Sequence, residues 1–553
     1  MSKKKENSFL MQGAILAATA LITKIIGLAY RIPVTNIMGA EGNGYYGMVF
    51  QVYNLALMLT SYSLPTAVSK LVSARVATGQ YRNAYRVFRG AMTFAIIAGG
   101  IVTAIVFFGA GFIATDIMKM DLSVYALRVL APCILVVAFL GVFRGFFQGF
   151  GTMIPTAVSQ TVEQIINAIV SIVGAYMLLK VGQNSVSGAD KKSYGAAYAA
   201  AYAAAGATLG TVAGALAALV FLILLFCVFR KGFKKQMKHD TEHRTESGKH
   251  IAKVLLFTIA PVILSATVYN ISNLLDQAVF TNAMAAQGMP KKEYTELLGM
   301  FSGQYDTITN IPLSVASALA ASFMPSLVAT IQTGSRKEIH NKIDLVSRFN
   351  MIIAIPCAAA FITLGKPILD LLYFTQDNTI PTMLLKIGGI SVVFFCLSTV
   401  TNAALQGMDH MSQPVKNAAI SLVIHLVALY IMLVAFHWNI YSIVASKIIF
   451  AAAICVLNDR DLRKCSGYVQ EYRKTFIIPG ISAIIMSIVA LGVHLVFELF
   501  AGPHIATVIA VLVAIAVYFV ALILLKGITE AEIKTLPMGT KIVGLFKKLH
   551  LLR

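Results

Sequence analysis

The sequence predicts an all-α polytopic membrane protein with about 14 transmembrane helices. Of its 553 residues, 58% are hydrophobic and 12% charged, with a mean hydropathy of +0.77. Soluble domains carry about 25% charged residues. Roughly 20 apolar residues span a bilayer, and such segments begin near residues 12, 46, 90, 123, 154, 197, 252, 299, 349, 382, 416, 440, 475 and 504.

These segments group into two predicted six-helix lobes and two further helices. Residues 1–230 form the N-terminal lobe, and residues 251–458 form the C-terminal lobe. The strongly polar stretch 231–250 between them is a predicted cytoplasmic linker. Residues 459–553 hold helices 13 and 14 and a tail that ends in an amphipathic segment, Lys541–Arg553.

A weak internal repeat supports the two lobes. Ser63-Leu64-Pro65 is echoed by Phe323-Met324-Pro325, and Gln148-Gly149 by Gln406-Gly407, at separations of 258 to 260 residues. Repeats of this kind mark pseudo-symmetric architectures. The period spans six helices, an even number, so both copies insert with the same orientation, as a parallel repeat.

The net charge of +21 is distributed over separate clusters next to the apolar segments. These clusters are Arg75–Arg89, Arg230–Lys253, Arg336–Lys342, Arg460–Lys474 and the C-terminal tail. The intervening loops, such as a predicted outer loop at Gly39–Gly44, are poor in Lys and Arg. By the positive-inside rule both termini are cytoplasmic. Attraction to anionic membrane lipids explains this charge better than a nucleic-acid partner does.

No enzyme signature is present in the chain. It has no Gly-x-x-x-x-Gly-Lys-Ser/Thr loop, no Asp-Asp-x-x-Asp run and no His-Glu-x-x-His. The six cysteines show no paired metal spacing and are expected to be packing residues. We therefore expect a protein that is not an enzyme and needs no metal or other cofactor.

Two basic residues, Lys24 and Arg31, lie inside the first apolar segment, Gln12–Met38. They are seven residues apart, so both side chains lie on one helix face. Facing lipid, each would cost at least ~2.5–3.5 kcal/mol. Either they snorkel to an interface or they line a polar cavity, and a cavity with two cations favours an anionic ligand.

Other polar residues in the apolar segments are candidates for the same cavity. Gln51 and Asn54 in the second segment either bind substrate or link helices. Arg144, near the cytoplasmic end of the fourth segment, either binds substrate or anchors the helix end.

Three acids are also predicted to be embedded in the membrane: Glu163, Asp276 and Asp306. They either balance the cations or bind a coupling ion, Na⁺ or H⁺. The residues alone do not separate these two roles.

Three stretches carry a resemblance to a known family: Lys24–Pro33 (KIIGLAYRIP), Met38–Gly47 (MGAEGNGYYG) and Ser63–Ser73 (SLPTAVSKLVS). They resemble the SpoVB/YtgP group of the polysaccharide-transporter branch of the multidrug/oligosaccharidyl-lipid/polysaccharide (MOP) flippase superfamily. That group includes MurJ-type lipid II flippases. The resemblance implies a MATE/MurJ-like fold with a central cationic cavity and alternating access.

The resemblance also implies roles for some residues and excludes others. Lys24 matches the position of an essential arginine of the MurJ-type proteins, and Arg31 lies within one residue of another. Their further arginines in the second and eighth helices have no counterpart in Asn54–Leu57 or Tyr305–Asn310. Gly44 stands where an acid is expected. The predicted cavity of this chain is therefore less cationic than that of the MurJ-type pattern.

The resulting prediction is a flippase of the bacterial cell membrane for an undecaprenyl-pyrophosphate-linked cell-wall precursor, with lipid II preferred. Lys24 and Arg31 would neutralise the diphosphate while the prenyl tail stays in lipid. The alternatives are a flippase for another polyprenyl-linked polysaccharide and a cation-coupled multidrug exporter, whose cationic substrates favour acids in the cavity. A membrane enzyme or scaffold is a third class.

Overall fold

The computed structural model describes residues 3–185, 190–238, 240 and 246–528. These residues are helical almost throughout and contain no β-strand. The predicted all-α class is therefore confirmed. The predicted amphipathic segment Lys541–Arg553 lies outside the described residues, and so does part of the linker at 231–250.

The chain divides into two compact units, Met1–Gly303 and Gln304–Arg553. The helices of the first unit are α1 (Lys3–Thr60), α2 (Leu64–Ala77), α3 (Tyr81–Phe94), α4 (Gly100–Phe108), α5 (Ala110–Phe112), α6 (Ser123–Gly149), α7 (Ile154–Asn184), α8 (Asp190–Lys238), α9 (Gly248–Ala286) and α10 (Lys291–Gly299). The helices of the second unit are α11 (Asp306–Thr333), α12 (Arg336–Thr363), α13 (Gly365–Leu372), α14 (Thr379–Gly407), α15 (Ser412–Val434), α16 (Tyr441–Ser466), α17 (Ile478–Ala501) and α18 (Pro503–Leu524). Short π-helical segments occur at Ala95–Gly99, Ile113–Ile117, Met300–Tyr305 and Arg473–Ile477.

Eleven helical stretches within the described residues are long and apolar enough to cross a membrane. The chain is thus a multi-pass membrane protein, as its composition predicts. The count of fourteen helices, the lobe boundaries and the internal repeat stay predictions.

Small residues allow the helices of the first unit to pack closely. A Cβ atom on Gly174 of α7 would lie 2.6 Å from the carbonyl oxygen of Gly206 in α8. A Cβ atom on Gly145 of α6 would lie 2.6 Å from the carbonyl oxygen of Pro65 in α2. Such contacts are typical of membrane helices, where small residues let backbones approach. They fix α6 and α7, which carry part of the candidate site.

In the second unit, a buried polar network joins α14, α15 and α16. The Asn417 side chain donates to Asn458 Oδ1 and to Asp461 Oδ2, both at 2.9 Å. Asn458 donates to Thr401 at 3.0 Å and is fully buried. Hydrogen bonds of this kind hold membrane helices together.

Candidate functional site

The helix α1 is broken at Gly39, which adopts φ 68° and ψ 179°. Glycine suits this left-handed φ because it has no Cβ atom. The Asn43 side chain donates to the carbonyl oxygens of Thr35 at 2.9 Å and of Gly39 at 2.7 Å. It thereby satisfies backbone groups freed by the break. The predicted loop over Gly39–Gly44 is wrong, because the helix resumes directly after Gly39.

The second half of α1 packs tightly on α10 and on the π-helical segment that follows it. A Cβ atom on Gly44 would lie 2.9 Å from Thr295 Cγ2, with the Thr295 carbonyl oxygen closer still. Ser302 Oγ donates to the carbonyl oxygen of Asn43 at 3.2 Å. An acid at position 44 would not fit here. The departure from the MurJ-type pattern at Gly44 therefore has a packing cause.

Arg31 is held against an aromatic ring across the break in α1. Its guanidinium carbon lies 4.0 Å from the ring centroid of Tyr46, a cation–π contact. Arg31 Nη1 is buried and has no hydrogen-bond partner within the described residues, where Arg31 also forms no ion pair. A buried, unsatisfied donor costs free energy. Arg31 therefore has donor capacity available for an anion.

A polar cluster next to Arg31 connects α1 to α7. Asn167 Nδ2 donates to the Tyr30 hydroxyl at 3.1 Å, and Asn167 Oδ1 accepts a bond from Ser171 at 2.9 Å. Ser171 is also within 2.9 Å of the Ala207 carbonyl oxygen. These bonds fix the segment of α1 that carries Arg31.

Arg144 of α6 lies in the same unit and is neutralised. Its Nη2 atom is 2.6 Å from Glu163 Oε2 of α7, and its Nε atom donates to Ser159 Oγ at 3.0 Å. The two side chains are 13% and 28% exposed. A predicted substrate ligand and a predicted coupling acid are thus brought together as an ion pair.

The other predicted ligands on α1 are more accessible. Lys24 and Asn54 are exposed, while Gln51 is half-buried. On the face shared by Lys24 and Arg31, a Cβ atom on Gly27 would lie 3.8 Å from Gln164 Nε2 of α7. This face therefore points towards α7.

The two remaining acids lie in different units. Asp276 of α9, in the first unit, is 1% exposed. Asp306 of α11, in the second unit, has its Oδ1 atom 3.6 Å from Lys447 Nζ of α16.

Sequence reasoning missed several of these partners. The residues that contact Arg31 or fix its helix are Tyr30, Tyr46 and Asn167. Their residue types are common in membrane segments and gave no signal of this role. The sequence could have indicated Lys447 as a partner for an embedded acid, because it is a charged residue inside an apolar segment, as Lys24 is.

The chain is similar in sequence to several proteins of Bacillus subtilis (strain 168). A family model described as polysaccharide biosynthesis protein matches residues 9–332. The lipid II flippase MurJ is 25% identical over 433 residues, covering 76% of this chain and 77% of that protein. Stage V sporulation protein B is 28% identical over 139 residues, covering 25% of this chain and 27% of that protein.

Solved transporter structures share the fold. An inward-facing multidrug resistance MATE transporter of the MOP superfamily matches with a TM-score of 0.66 at 16% identity, over 82% of this chain and 98% of that chain. Lipid II flippase MurJ, in an inward closed conformation, matches with a TM-score of 0.64 at 14% identity, over 92% of this chain and 98% of that chain. The predicted MATE/MurJ-like fold is confirmed.

Proposed function

Because the chain belongs to the polysaccharide biosynthesis protein family, as its first two helices predicted, we propose that it is a flippase for a polyprenyl-pyrophosphate-linked cell-wall precursor. One relative is a lipid II flippase, and the structural neighbours include a lipid II flippase and a multidrug transporter, which supports a transporter of the MOP superfamily. The finer assignment is lipid II, moved from the inner to the outer leaflet of the bacterial cell membrane. The protein acts without catalysis.

One observation carries this assignment, namely the buried Nη1 of Arg31 with no partner within the described residues. Diphosphate cannot enter hydrocarbon without neutralisation. A guanidinium offers planar, fork-like donors that match phosphate oxygens, and it stays charged at any physiological pH. Arg31, with one face on Tyr46, is positioned to bind the diphosphate with its remaining donors.

The other predicted ligands support this role around Arg31. Lys24, two turns earlier on the same face, adds a second positive charge as a flexible point charge. Gln51 and Asn54 supply hydrogen bonds to the sugar head group. Arg144 contributes less to binding, because Glu163 already neutralises it.

Ion coupling is assigned first to Asp276. Asp276 is the most buried of the three acids, at 1% exposed. Buried acids in membrane segments commonly serve proton or ion relays. Stimulation of transport by a Na⁺ or H⁺ gradient, lost in Asp276→Asn, would support this assignment.

The test of function is the amount of externally accessible lipid II in cells depleted of their own flippase. Cells that express this chain should regain accessible lipid II, and Lys24→Ala should reduce this recovery at equal protein level. If a well-expressed chain restores no accessible lipid II, the substrate is another polyprenyl-linked glycan. Extrusion of cationic drugs instead would favour the multidrug exporter.

A further inference from the structure

A cleft of about 700 Å³ opens between α3 and α9, apart from the residues around Arg31. Its volume is within the ~300–1,000 Å³ range of small-molecule sites. The two helices approach closely at Gly90, where a Cβ atom would lie 3.1 Å from Ile251 Cγ2. Arg86, one turn before Gly90, contacts the Glu246 carbonyl oxygen just before α9 begins, so the two helices run in the same direction along the cleft.

The cleft is basic at one end and apolar along the rest of its length. Arg86 and Arg89, both exposed, line the end nearest the beginning of α3. Further along, the lining is apolar and includes Phe94, Ile97, Leu255 and Leu256. Two of these side chains are largely exposed on the helix surface, Ile97 at 57% and Leu256 at 51%. Ile101, one turn beyond Ile97 and outside the cleft, is 55% exposed. In a membrane protein such a surface meets acyl chains.

Two acids that the structure describes near the basic end, Glu246 and Asp240, already accept hydrogen bonds. The Arg75 guanidinium binds Glu246 with two hydrogen bonds, of 2.9 Å and 2.5 Å. Arg86 donates to the main-chain carbonyl oxygen of Glu246 and not to its carboxylate. Asp240 accepts a bond from the backbone N–H of Arg82 at 2.7 Å. The positive charge of Arg86 and Arg89 is therefore not cancelled by these carboxylates.

We propose that this cleft binds an anionic phospholipid of the bilayer. The phosphate would lie at Arg86 and Arg89, and one acyl chain would follow the apolar lining between α3 and α9. Basic residues at an anionic lipid surface contribute about 1 kcal/mol each. This proposal does not depend on which substrate the protein moves.

The test uses the purified full-length protein in detergent, titrated with phosphatidylglycerol or with phosphatidylcholine of the same acyl chains. Native mass spectrometry counts the lipids that stay bound. The unaltered protein should retain phosphatidylglycerol preferentially. The double variant Arg86→Gln/Arg89→Gln should weaken that binding by about five-fold per arginine, the factor that corresponds to ~1 kcal/mol.

Two matched variants separate a built site from general positive charge. Lys231→Gln/Lys234→Gln removes the same charge from exposed positions near the end of α8, outside the cleft, and should leave the preference intact. Ala252→Trp fills the cleft without changing charge and should weaken binding of both lipids. Thermal unfolding of each variant identifies any that fail to fold, in which case Arg89→Gln alone replaces the double variant.

Three results would overturn the proposal. Equal retention of the two lipids by the unaltered protein would mean that the cleft does not select lipids by their charge. An equal loss of preference in the lysine variant would assign it to diffuse electrostatics. Displacement of phosphatidylglycerol by undecaprenyl diphosphate, with loss of that displacement in the arginine variants, would make the cleft part of the substrate route instead.

Discussion

Arg31 and Arg144 both lie in apolar helices of the first unit, yet their surroundings differ in one respect. Arg144 is matched by a carboxylate, Glu163, at 2.6 Å and by a hydroxyl at 3.0 Å. Arg31 is matched by an aromatic face at 4.0 Å, and its Nη1 atom has no partner within the described residues. Glu163 neutralises the charge of Arg144, whereas the Tyr46 ring contacts Arg31 without neutralising it.

Under the proposed function, this difference is the reason to assign the ligand to Arg31 and not to Arg144. An ion pair inside a membrane protein lowers the cost of embedding both charges and links two helices. A ring face orients a guanidinium without removing its charge or occupying its N–H donors. Residue type cannot separate the roles proposed for the two arginines, so the proposal rests on their different partners.

The largest expected effect follows from removing Arg31. Arg31→Ala should lower the rate of flipping by about 100-fold, since a hydrogen bond to a charged group contributes about 1.5–3 kcal/mol. Arg31→Lys should fall in between, because it keeps the charge and loses the fork. Export of accessible lipid II at equal expression measures both variants.

The matched control for Arg31 is Lys180, an exposed cation of α7 that lies 4.4 Å from the ring centroid of Tyr176. Lys180→Ala removes a stacked cation from the first unit and should leave flipping unchanged. If Arg31→Ala flips as well as Lys180→Ala does, the unpaired donor has no role in transport and the comparison fails.

Removing one partner of the Arg144 pair should change stability more than binding. Glu163→Ala leaves Arg144 without its carboxylate and should lower the free energy of unfolding by about 1–3 kcal/mol. Fully buried pairs lose about 3–5 kcal/mol, but these side chains are 13% and 28% exposed. Thermal unfolding in detergent measures the change.

A double variant tests whether the pair is purely structural. Arg144→Met/Glu163→Leu removes both charges, and it should recover most of the lost stability because no single charge is stranded. It should also flip substrate at a near-normal rate. A stable double variant that cannot flip would instead place Arg144 in the substrate path.

The sequence predicted the class of fold, which is confirmed, and it proposed candidate site residues, because both depend on strong local signals. Twenty-residue apolar runs predict membrane helices wherever they occur, and a charge such as Arg31 inside one of them is expensive. The partner of each charge was not predictable, since Tyr46 and Glu163 reach their arginines only through helix packing. Thus the sequence identified Arg31 and Arg144 but could not distinguish them.

The break in α1 shows the same limit. Gly39–Gly44 has the composition of a turn, and only Gly39 departs from helical geometry. The helix resumes because Asn43 satisfies two freed carbonyl groups and because α10 packs against Gly44. Both causes involve tertiary contacts or a side chain whose direction the sequence does not reveal.

Asn43 connects the break in α1 at Gly39 to the environment of Arg31, because it stabilises the bend that places Tyr46 against Arg31. Asn43→Leu should leave the carbonyl groups of Thr35 and Gly39 unsatisfied and lower the free energy of unfolding by about 1–3 kcal/mol. Asn350→Leu is the control, since Asn350 is equally buried and donates within its own helix turn of α12 to the Val346 carbonyl oxygen at 3.2 Å. Equal destabilisation by the two variants would mean that Asn43 has no special role at the break.

The smallest effect is expected at Tyr46, and it isolates the ring from its hydroxyl. A cation–π contact contributes about 0.5–2 kcal/mol, so Tyr46→Leu should lower flipping by about 2- to 30-fold. Tyr46→Phe keeps the ring over the guanidinium and should retain most of the activity. If Tyr46→Phe is as impaired as Tyr46→Leu, the hydroxyl and not the ring positions Arg31. The support of Arg31 would then be a hydrogen bond, as it is for Arg144 with Ser159, and the two arginines would differ only in the presence of a carboxylate.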